Sequence, residues 1–350
     1  MTTIVTGGAG FIGSALVRAL VGTGQPVVTV DSLTYAGNPE NLASLDGNPL
    51  HRLEVLDVNE TATLRRLFAE VRPRTIFHLA AESHVDRSIE RPAAFVFTNV
   101  NGTASLLEAA LDYWRGLDAA GQRDFRFIQV STDEVYGELG ATGAFDADSP
   151  YRPNSPYAAS KAAADHLARA WQRTYGLPTL VTNCSNNYGP HQFPEKLIPL
   201  MVLNGLDGRA LPVYGRGEQV RDWLHVSDHV AALQVIGQRG MAGRNYLIGG
   251  GAERRNIDVV QAICCLLDEL HPDGRPHGRL ISYVADRPGH DARYAIDPAG
   301  LERELGWRSR VPFERGLRET VAWYIEHRAW CEGAARRYGR ERLGLSRAAS

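Results

Sequence analysis

The feature that most constrains this chain is a regular alternation, over its first half, of short apolar runs with longer amphipathic segments. Runs rich in β-branched residues predict strands at 2–7, 26–31, 52–58, 75–80, 126–132 and 179–184. The segments between them predict helices at 11–21, 61–71, 93–114 and 156–176. Strands that alternate with helices in this way indicate a parallel sheet with helices on both faces. We therefore expect an α/β fold built on a doubly wound parallel sheet.

The second half of the chain has a looser pattern. Helices are predicted at 195–205, 227–238, 257–270 and 314–337, and the Gly-, Pro- and aromatic-rich segments 187–194 and 212–223 predict loops. A change in composition near 183–190 suggests two domains. Residues 1–183 would form the sheet, and 184–340 would mainly form a smaller α/β substrate domain, from which a segment at about 215–250 returns to the first. Residues 341–350 are expected to be a tail.

The overall composition excludes several classes of function. The 350-residue chain has 38 basic and 40 acidic residues, a formal net charge of −2 and no basic block, so we expect no nucleic acid and no membrane surface as partners. Its apolar runs are shorter than the ~18 residues of a membrane-spanning helix, and its first residues do not resemble a secretory signal. The four cysteines lack metal-ligand spacing. These features predict a cytoplasmic protein with reduced thiols and no metal site.

A glycine-rich turn follows the first predicted strand. The segment GGAGFIG places Gly7, Gly10 and Gly13 in a G-x-x-G-x-x-G pattern just before a predicted helix. Such glycines let the backbone approach a pyrophosphate, and the helix N-terminus supplies amide groups and partial positive charge. The second strand ends in Asp31, which would accept hydrogen bonds from the adenosine ribose and repel a 2′-phosphate. The pattern predicts a Rossmann domain that binds NAD rather than NADP, with Asp57 near the adenine.

The chain contains only two lysines, Lys161 and Lys196. Because lysine has a compact ammonium with a tunable pKa, both are candidates for function. Lys161 follows Tyr157 by four residues at the start of a predicted helix, so the two share one helix face. A neighbouring ammonium and an oxidised nicotinamide would favour the phenolate of Tyr157, and Thr132 could share a hydrogen bond with the reacting oxygen. The pair predicts removal of a hydroxyl proton while hydride leaves the same carbon.

Two adjacent carboxyl groups, Asp133 and Glu134, directly follow the apolar run 126–132. Each raises the cost of ionising the other, and coupled carboxyls tend to divide into one protonated and one ionised group. Such a pair can supply one general acid and one general base. The alternative is that the two residues only cap the turn that follows.

Together these motifs resemble those of the extended short-chain dehydrogenases/reductases, and more narrowly those of the dTDP-glucose 4,6-dehydratases. The resemblance covers roughly residues 1–330 and is carried by GGAGFIG, HLAAESHVDRS, STDEVYG, YAASK, NCSNNYGPHQFPEKLIPL, YGRGEQVRDWLHVSDH and DRPGHDARYAID. It implies that dTDP-glucose is oxidised at C4, loses water across C5 and C6, and receives the hydride at C6, so that NAD is regenerated. It also implies that Asp133 is the acid at the C6 hydroxyl and Glu134 the base at C5.

The resemblance further implies which residues contact the two ligands. Those implied for NAD are Gly7, Gly10, Phe11, Ile12, Gly13, Asp31, Ser32, Leu33, Thr34, Asp57, Val58, Ala80, Ala81, Ser83, Thr98, Tyr157, Lys161 and Asn187. Those implied for the dTDP-sugar are His84, Thr132, Asn186, Lys196, Leu197, Pro212, Val213, Tyr214, Arg221, Asn256, Arg287 and His290. Arg221 and Arg287 are expected at the diphosphate, because the planar guanidinium matches phosphate oxygens.

Two other functions remain open from the sequence. The first is a related NAD-dependent sugar-nucleotide enzyme, namely a 4-epimerase or a CDP-glucose or GDP-mannose 4,6-dehydratase; the triplet TDE at 132–134 is not expected in 4-epimerases. The second is an NAD-binding sensor without catalysis, against which the retained Tyr157 and Lys161 argue. Helices at 92–115 and 156–176 correspond to helices that pair between subunits in this family, so the resemblance also implies a homodimer.

Overall fold

The computed structural model describes residues 2–337, and the tail expected at 341–350 lies outside them. The strands are β1 (Thr2–Thr6), β2 (Val27–Asp31), β3 (His51–Val55), β4 (Pro73–His78), β5 (Arg126–Thr132), β6 (Thr179–Cys184), β7 (Asn186–Tyr188), β8 (Leu211–Tyr214), β9 (Val220–His225), β10 (Asn245–Ile248), β11 (Glu253–Arg255) and β12 (Ile281–Val284). The α-helices are α1 (Phe11–Gly22), α2 (Thr61–Val71), α3 (Val85–Glu90), α4 (Pro92–Phe95), α5 (Gly102–Arg115), α6 (Ala119–Asp124), α7 (Pro156–Tyr175), α8 (Leu197–Leu206), α9 (Val226–Arg239), α10 (Asn256–Leu270), α11 (Ala299–Leu305), α12 (Phe313–Glu326) and α13 (Arg328–Arg337).

The largest sheet is parallel throughout and has the strand order β10-β6-β5-β4-β1-β2-β3. The chain builds outwards from β1 to β3, then crosses back to β4 and builds outwards on the other side. This reversal opens a crevice between the carboxyl ends of β1 and β4, which is where open α/β sheets bind their ligands. The predicted doubly wound Rossmann sheet is confirmed.

The central strands are apolar because both of their faces are covered. Every residue of β2 and of β6 is buried. In β1, Val5 faces a core shared with α1 and α9, whereas Ile4 faces a core shared with α2 and α5. A strand between two helical layers has no solvent face, so apolar residues such as Val27, Val28 and Val30 do not alternate with exposed polar ones.

The remaining elements form a smaller lobe with a core of its own. Strands β11, β9 and β7 make a three-stranded sheet, and β8 pairs in parallel with β12. Helices α8, α10 and α12 pack against one another and contribute to a core that contains Tyr188, Met201, Trp223, Val260 and Phe313. In contrast, β10 joins the large sheet and α9 packs on α1.

Several predicted elements differ from those observed. The prediction of loops at 187–194 and 212–223 is wrong where these segments form β7, β8 and β9. The reason is that their partners are distant in sequence: Leu211 of β8, for example, lies opposite Ile281 of β12. Local composition detects the turn between β8 and β9 but not the pairing that makes the flanking residues strands.

Two predicted helices are not single regular α-helices in the structure. The helix expected at 314–337 is divided into α12 and α13 at His327, whose backbone ends α12. The helix expected after Pro92 is continuous but contains a π-helical turn at Val96–Asn101.

Within the residues that the structure describes, no helix has the length and apolar character required to span a membrane.

Candidate active site

A cavity of about 330 Å³ lies at the carboxyl edge of the large sheet. The glycine turn after β1, the acid pair after β5 and the Tyr157–Lys161 pair of α7 all line it, although they are far apart in sequence. The parallel sheet is the reason, because it brings the ends of β1, β2, β4, β5 and β6 to one edge. This cavity is the candidate active site.

The glycine turn forms a cradle that a side chain would fill. Gly7 has φ +68°, and a Cβ on it would lie 2.7 Å from the backbone nitrogen of Ala80. A Cβ on Gly13 would lie 2.1 Å from the carbonyl oxygen of Gly7. Helix α1 begins directly afterwards at Phe11 and has no acidic residue in its first turn. Its amide groups and partial positive charge therefore suit an anionic pyrophosphate.

Asp31 lies beside this turn with its carboxylate fixed by the backbone. Its Oδ2 accepts a hydrogen bond from the N–H of Ala9 at 2.9 Å, and its Oδ1 accepts one from the N–H of Leu33 at 2.8 Å. Burial raises the pKa of Asp31, while these two bonds act in the opposite direction. A carboxylate next to a pyrophosphate cradle fits the adenosine ribose of NAD.

Nearly all residues predicted to contact NAD line the cavity. These are Gly7, Gly10, Phe11, Ile12, Gly13, Asp31, Ser32, Thr34, Asp57, Val58, Ala80, Ala81, Ser83, Thr98, Tyr157, Lys161 and Asn187. Leu33 does not line it: its backbone has φ +50° and its N–H is directed to Asp31.

The acid pair occupies a 3₁₀ turn, Asp133–Tyr136, directly after β5. The hydroxyl of Thr132 donates to Oδ1 of Asp133 at 3.2 Å and accepts from the N–H of Glu134 at 3.3 Å. Asp133 is only 2% exposed, and among the described residues its Oδ2 has no hydrogen-bond partner. Burial, followed by the charges of Glu134 and Asp222, raises the pKa of Asp133 well above its usual range.

Glu134 has a different environment although it is the next residue. It is partly exposed and lines the cavity. Burial raises the pKa of Glu134, but the positive charges of Arg287, Lys196 and Arg221 lower it. The pKa of both carboxyls is therefore raised, that of Asp133 well above its usual range, while three cations stabilise the ionised form of Glu134.

Tyr157 and Lys161 lie in the first turns of α7. The ammonium of Lys161 donates to the carbonyl oxygen of Val130 at 2.7 Å; burial lowers the pKa of Lys161, and Asp165 raises it. Burial and the charge of Glu134 raise the pKa of Tyr157 well above its usual value. The predicted lowering of this pKa by Lys161 does not offset these two effects. The positive charge of an oxidised nicotinamide is the remaining group expected to favour the phenolate.

Two of the predicted substrate cations are held by backbone carbonyl groups. Lys196 lines the cavity and donates to the carbonyl oxygen of Ser83 at 2.7 Å. Arg221 donates to the carbonyl oxygen of Asp291 at 2.9 Å, and its guanidinium carbon lies 4.2 Å from the ring centroid of Tyr294. Neither contact neutralises the cation, so both retain positive charge beside Glu134.

The third cation is paired across the crevice. Arg287 of the smaller lobe donates to Oδ1 of Asp86 in α3 at 2.8 Å, and the hydroxyl of Tyr214 donates to Oδ2 of the same carboxylate at 2.6 Å. His290 packs edge-on against Tyr214, with 6.0 Å between the ring centroids. Asp86, which the motifs did not single out, thus joins predicted substrate residues to the large domain.

The other predicted substrate residues are placed unevenly. Thr132 and Asn186 line the cavity, whereas His84 and Leu197 do not. His84 caps α3, its ring lies 3.4 Å from the carbonyl oxygen of Glu195, and burial lowers its pKa to about 3. Pro212 and Val213 lie in β8, and Asn256 is the first residue of α10. All three belong to the smaller lobe and do not line the cavity.

Two carboxylates in the cavity wall, Glu82 and Glu195, were not predicted. Glu195 is 6% exposed and accepts from the hydroxyl of Tyr35 at 3.2 Å and from Nε of Arg87 at 3.0 Å. The guanidinium carbon of Arg87 lies 3.9 Å from the ring centroid of Tyr35. An acid within the apolar segment FPEKLIPL, next to one of only two lysines, was the available signal.

The structure offers no evident metal centre within residues 2–337, where no group of three or more His, Cys, Asp or Glu side chains could hold an ion.

The chain is similar to proteins of known activity over nearly its whole length. The family model described as GDP-mannose 4,6-dehydratase matches residues 4–320. A dTDP-glucose 4,6-dehydratase of Xanthomonas campestris is 55% identical over 99% of both chains, and dTDP-glucose 4,6-dehydratase 1 of Escherichia coli is 54% identical over 95% of both.

A solved structure agrees with these relatives. A dTDP-glucose 4,6-dehydratase from Streptomyces venezuelae, solved with NAD bound, has a TM-score of 0.87 and 47% identity, and the similarity covers 95% of this chain and 100% of that one. A UDP-glucose 4-epimerase from Thermotoga maritima has a TM-score of 0.82 but only 30% identity, with 93% and 99% covered. The fold is thus shared with epimerases, and the sequence is closer to the dehydratases.

Proposed function

The chain belongs to the dTDP-glucose 4,6-dehydratases, and from that premise we propose how its cavity converts dTDP-glucose to dTDP-4-keto-6-deoxyglucose. It is an NAD-dependent hydro-lyase. The glycine turn, the N-terminus of α1 and Asp31 hold the pyrophosphate and the adenosine ribose of NAD, because they form a cradle without side chains beside a fixed carboxylate. When bound, NAD accepts a hydride from C4 of the sugar and later returns it to C6.

Tyr157 is the base that removes the proton of the C4 hydroxyl. Its side chain lines the cavity, as does Thr132, which lowers the pKa of Tyr157 and can share a hydrogen bond with the reacting oxygen. Lys161 lies one turn further along α7, anchored on the carbonyl oxygen of Val130. Its role is to stabilise negative charge and orient the site, since its ammonium cannot itself accept a proton.

Asp133 and Glu134 carry out the elimination of water. Oxidation at C4 acidifies the C5 proton, which Glu134 removes, and Asp133 donates a proton to the departing C6 hydroxyl. The different environments of the two carboxyls supply one acid and one base at the same pH. Positioned acids and bases of this kind contribute ~10²–10⁴-fold each.

Lys196, Arg221 and Arg287 form the cationic side of the site and bind the substrate diphosphate. Their charges reach Glu134, so a diphosphate beside them would place the hexose next to the acid pair. Arginine is suited to this role because its planar donors match phosphate oxygens. The hydroxyl of Tyr214 and the guanidinium of Arg287 donate to the same carboxylate, that of Asp86. We assign Tyr214 to the nucleoside end of the substrate.

The observation that carries this function is the convergence of a buried carboxyl, an adjacent carboxylate and the Tyr157–Lys161 pair in one cavity next to the cradle for NAD. A 4-epimerase needs the Tyr157–Lys161 pair and the cradle for NAD, but it does not need the acid pair.

The test is to incubate the purified protein with dTDP-glucose without added cofactor, and in parallel with UDP-, CDP- and GDP-sugars. We expect a 4-keto-6-deoxy product from the dTDP-sugar. Recovery of dTDP-galactose would indicate an epimerase, and unchanged sugar would indicate a protein that binds NAD without catalysis. Faster turnover of GDP-mannose or CDP-glucose would show that this sugar nucleotide, and not dTDP-glucose, is the preferred substrate.

We also propose that the protein is a cytoplasmic homodimer. Val96 and Phe97 are 51% and 53% exposed on the helical segment that precedes α5, as expected of a face covered by a second subunit. The four free cysteines fit a reducing compartment. Sedimentation equilibrium that gives the mass of a single 38.4 kDa chain would contradict the dimer, and recovery from a secreted fraction would contradict the location.

A further inference from the structure

One residue of the glycine turn is held by hydrogen bonds on both sides. The N–H of Ala9 donates to Oδ2 of Asp31 at 2.9 Å. The carbonyl oxygen of Ala9 accepts from Nδ2 of Asn41 at 2.9 Å and from the N–H of Asn38 at 3.0 Å. Ala9 itself is fully buried. The conformation of the pyrophosphate cradle therefore depends on Asn41, which lies outside the glycine motif.

Asn41 is in turn held by the other end of the chain. Its side chain is 3% exposed, and its Oδ1 accepts a hydrogen bond from Nε1 of Trp330 in α13 at 2.8 Å, across 289 sequence positions. The guanidinium of Arg18 also donates to the carbonyl oxygen of Asn41. The amide of Asn41 thus connects the C-terminal helix directly to the glycine turn.

The preceding helix, α12, also contacts the lining of the same cavity. The hydroxyl of Tyr324 in α12 donates to the carbonyl oxygen of Gln192 at 2.7 Å, and Nε2 of Gln192 donates to the carbonyl oxygen of Asn187 at 2.9 Å. Gln192 and Asn187 both line the cavity. The two helices pack together through Tyr324 and Trp330, whose ring centroids are 6.2 Å apart.

We propose that α12 and α13 form a clamp that retains NAD, with Trp330 as a positioning residue that acts through Asn41 on the glycine turn. This inference rests on the proposed function only in taking NAD as the ligand of the cradle. A cradle held in its binding conformation loses less conformational freedom on binding, and release requires its hydrogen bonds to open. Because the hydride taken from C4 must return to C6 of the same sugar, the cofactor has to stay bound throughout the catalytic cycle.

The test is the rate at which the full-length protein releases NAD. Protein loaded with radiolabelled NAD is mixed with excess unlabelled NAD, and the bound label is followed with no sugar present. Trp330→Phe keeps an aromatic ring but removes the N–H donor and leaves the buried Oδ1 of Asn41 unpaired, so we expect release about 5–20-fold faster. The matched control is Trp323→Phe, in the same aromatic cluster but not in the Trp330–Asn41–Ala9 chain of hydrogen bonds, with a change below about twofold expected.

A double variant separates this role from a general loss of packing. On an Asn41→Leu background the acceptor is absent, so Trp330→Phe should have no further effect on NAD release. A further measurement uses Trp330→Phe protein from which bound NAD has been removed. The NAD concentration that restores half of its activity should be higher than for the wild type, while kcat at saturating NAD stays unchanged. Equal release rates in wild type and Trp330→Phe, or additive effects in the double variant, would overturn the clamp. A wild-type protein that binds no NAD would overturn the proposed function as well.

Discussion

At the scale of single residues, adjacent side chains in this site have different proton affinities because their surroundings differ. Asp133 is 2% exposed and has Glu134 and Asp222 as neighbouring charges, so its protonated form is favoured. Glu134 opens onto the cavity and faces three cations. A sequence alone assigns the same intrinsic pKa range to both groups. Burial and neighbouring charge decide which one serves as the acid.

Replacing Asp133 by Asn should stabilise the protein while abolishing its chemistry. Because the pKa of folded Asp133 lies well above that of the unfolded residue, the native state binds more protons between the two pKa values and stability falls as pH rises above ~4. An amide removes that cost and keeps the bond from Thr132. We expect Tm at pH 7 to rise by ~2–5 °C, the gain to shrink towards pH 4, and the elimination rate to fall ~10²–10⁴-fold.

The matched variant is Glu134→Gln. It should block incorporation of solvent deuterium at C5 and leave most of the pH dependence of stability that Asp133 causes, because burial contributes more than the charge of Glu134 to the raised pKa of Asp133. Thermal unfolding at several pH values and mass spectrometry of the sugar measure both effects. An Asp133→Asn protein with no gain in Tm at pH 7 would mean that the carboxyl is ionised in the native state.

At the scale of secondary-structure elements, the turn from β1 to α1 depends on backbone contacts that leave no room for a side chain. A Cβ on Gly13 would lie 2.1 Å from the carbonyl oxygen of Gly7 and 2.8 Å from Cα of Gly8. These are main-chain atoms of the turn, so they cannot move away as the end of a flexible side chain would. The turn must change shape to admit even a methyl group.

Gly13→Ala should therefore deform the cradle and release NAD. We expect the purified variant to contain less than about a tenth of the wild-type NAD and to lose ~2–4 kcal/mol of unfolding free energy, typical of severe overpacking. The control is Gly22→Ala in the last turn of the same helix, where a Cβ meets nothing within 4 Å and the change should be neutral or stabilising by up to ~1 kcal/mol. Urea unfolding and the NAD content after gel filtration distinguish the two, and a Gly13→Ala protein with full NAD content would refute the steric argument.

At the scale of the whole molecule, the crevice lies between two lobes, and polar side chains connect them across it. Asp86 of the large domain binds both Arg287 and Tyr214 of the smaller lobe. Asp86 and Arg287 are largely buried, with 6% and 18% of their side-chain surfaces exposed, so this pair is shielded from solvent more than the surface pairs are. It sets where the guanidinium of Arg287 lies relative to Glu134.

Asp86→Asn should weaken substrate binding and leave NAD binding unchanged. The amide can still accept from Tyr214 but no longer pairs with the charge of Arg287, whose position at the diphosphate becomes less defined. We expect KM for dTDP-glucose to rise ~5–20-fold with a smaller change in kcat. Asp258→Asn, which removes a largely exposed pair with Arg255, is the control and should have no effect. A lowered KM for Asp86→Asn would show that the carboxylate competes with the substrate instead of placing Arg287.

The sequence by itself predicted the strands of the large sheet, the cofactor cradle and the candidate reacting groups, because each is encoded within a few adjacent residues. A glycine turn between a strand and a helix, a carboxylate at a strand end, and a Tyr157–Lys161 pair one helical turn apart are local patterns with local physical causes. The family resemblance extended them to substrate residues.

Only the tertiary structure decided the strands of the smaller lobe, the contact between Asp86 and Arg287, the burial of Glu195 and the link from Trp330 to the glycine turn. All of these join residues that are distant in sequence. The proton affinities of the acid pair and of Tyr157 belong to the same class, because desolvation and neighbouring charge exist only after the chain has brought its strand ends together.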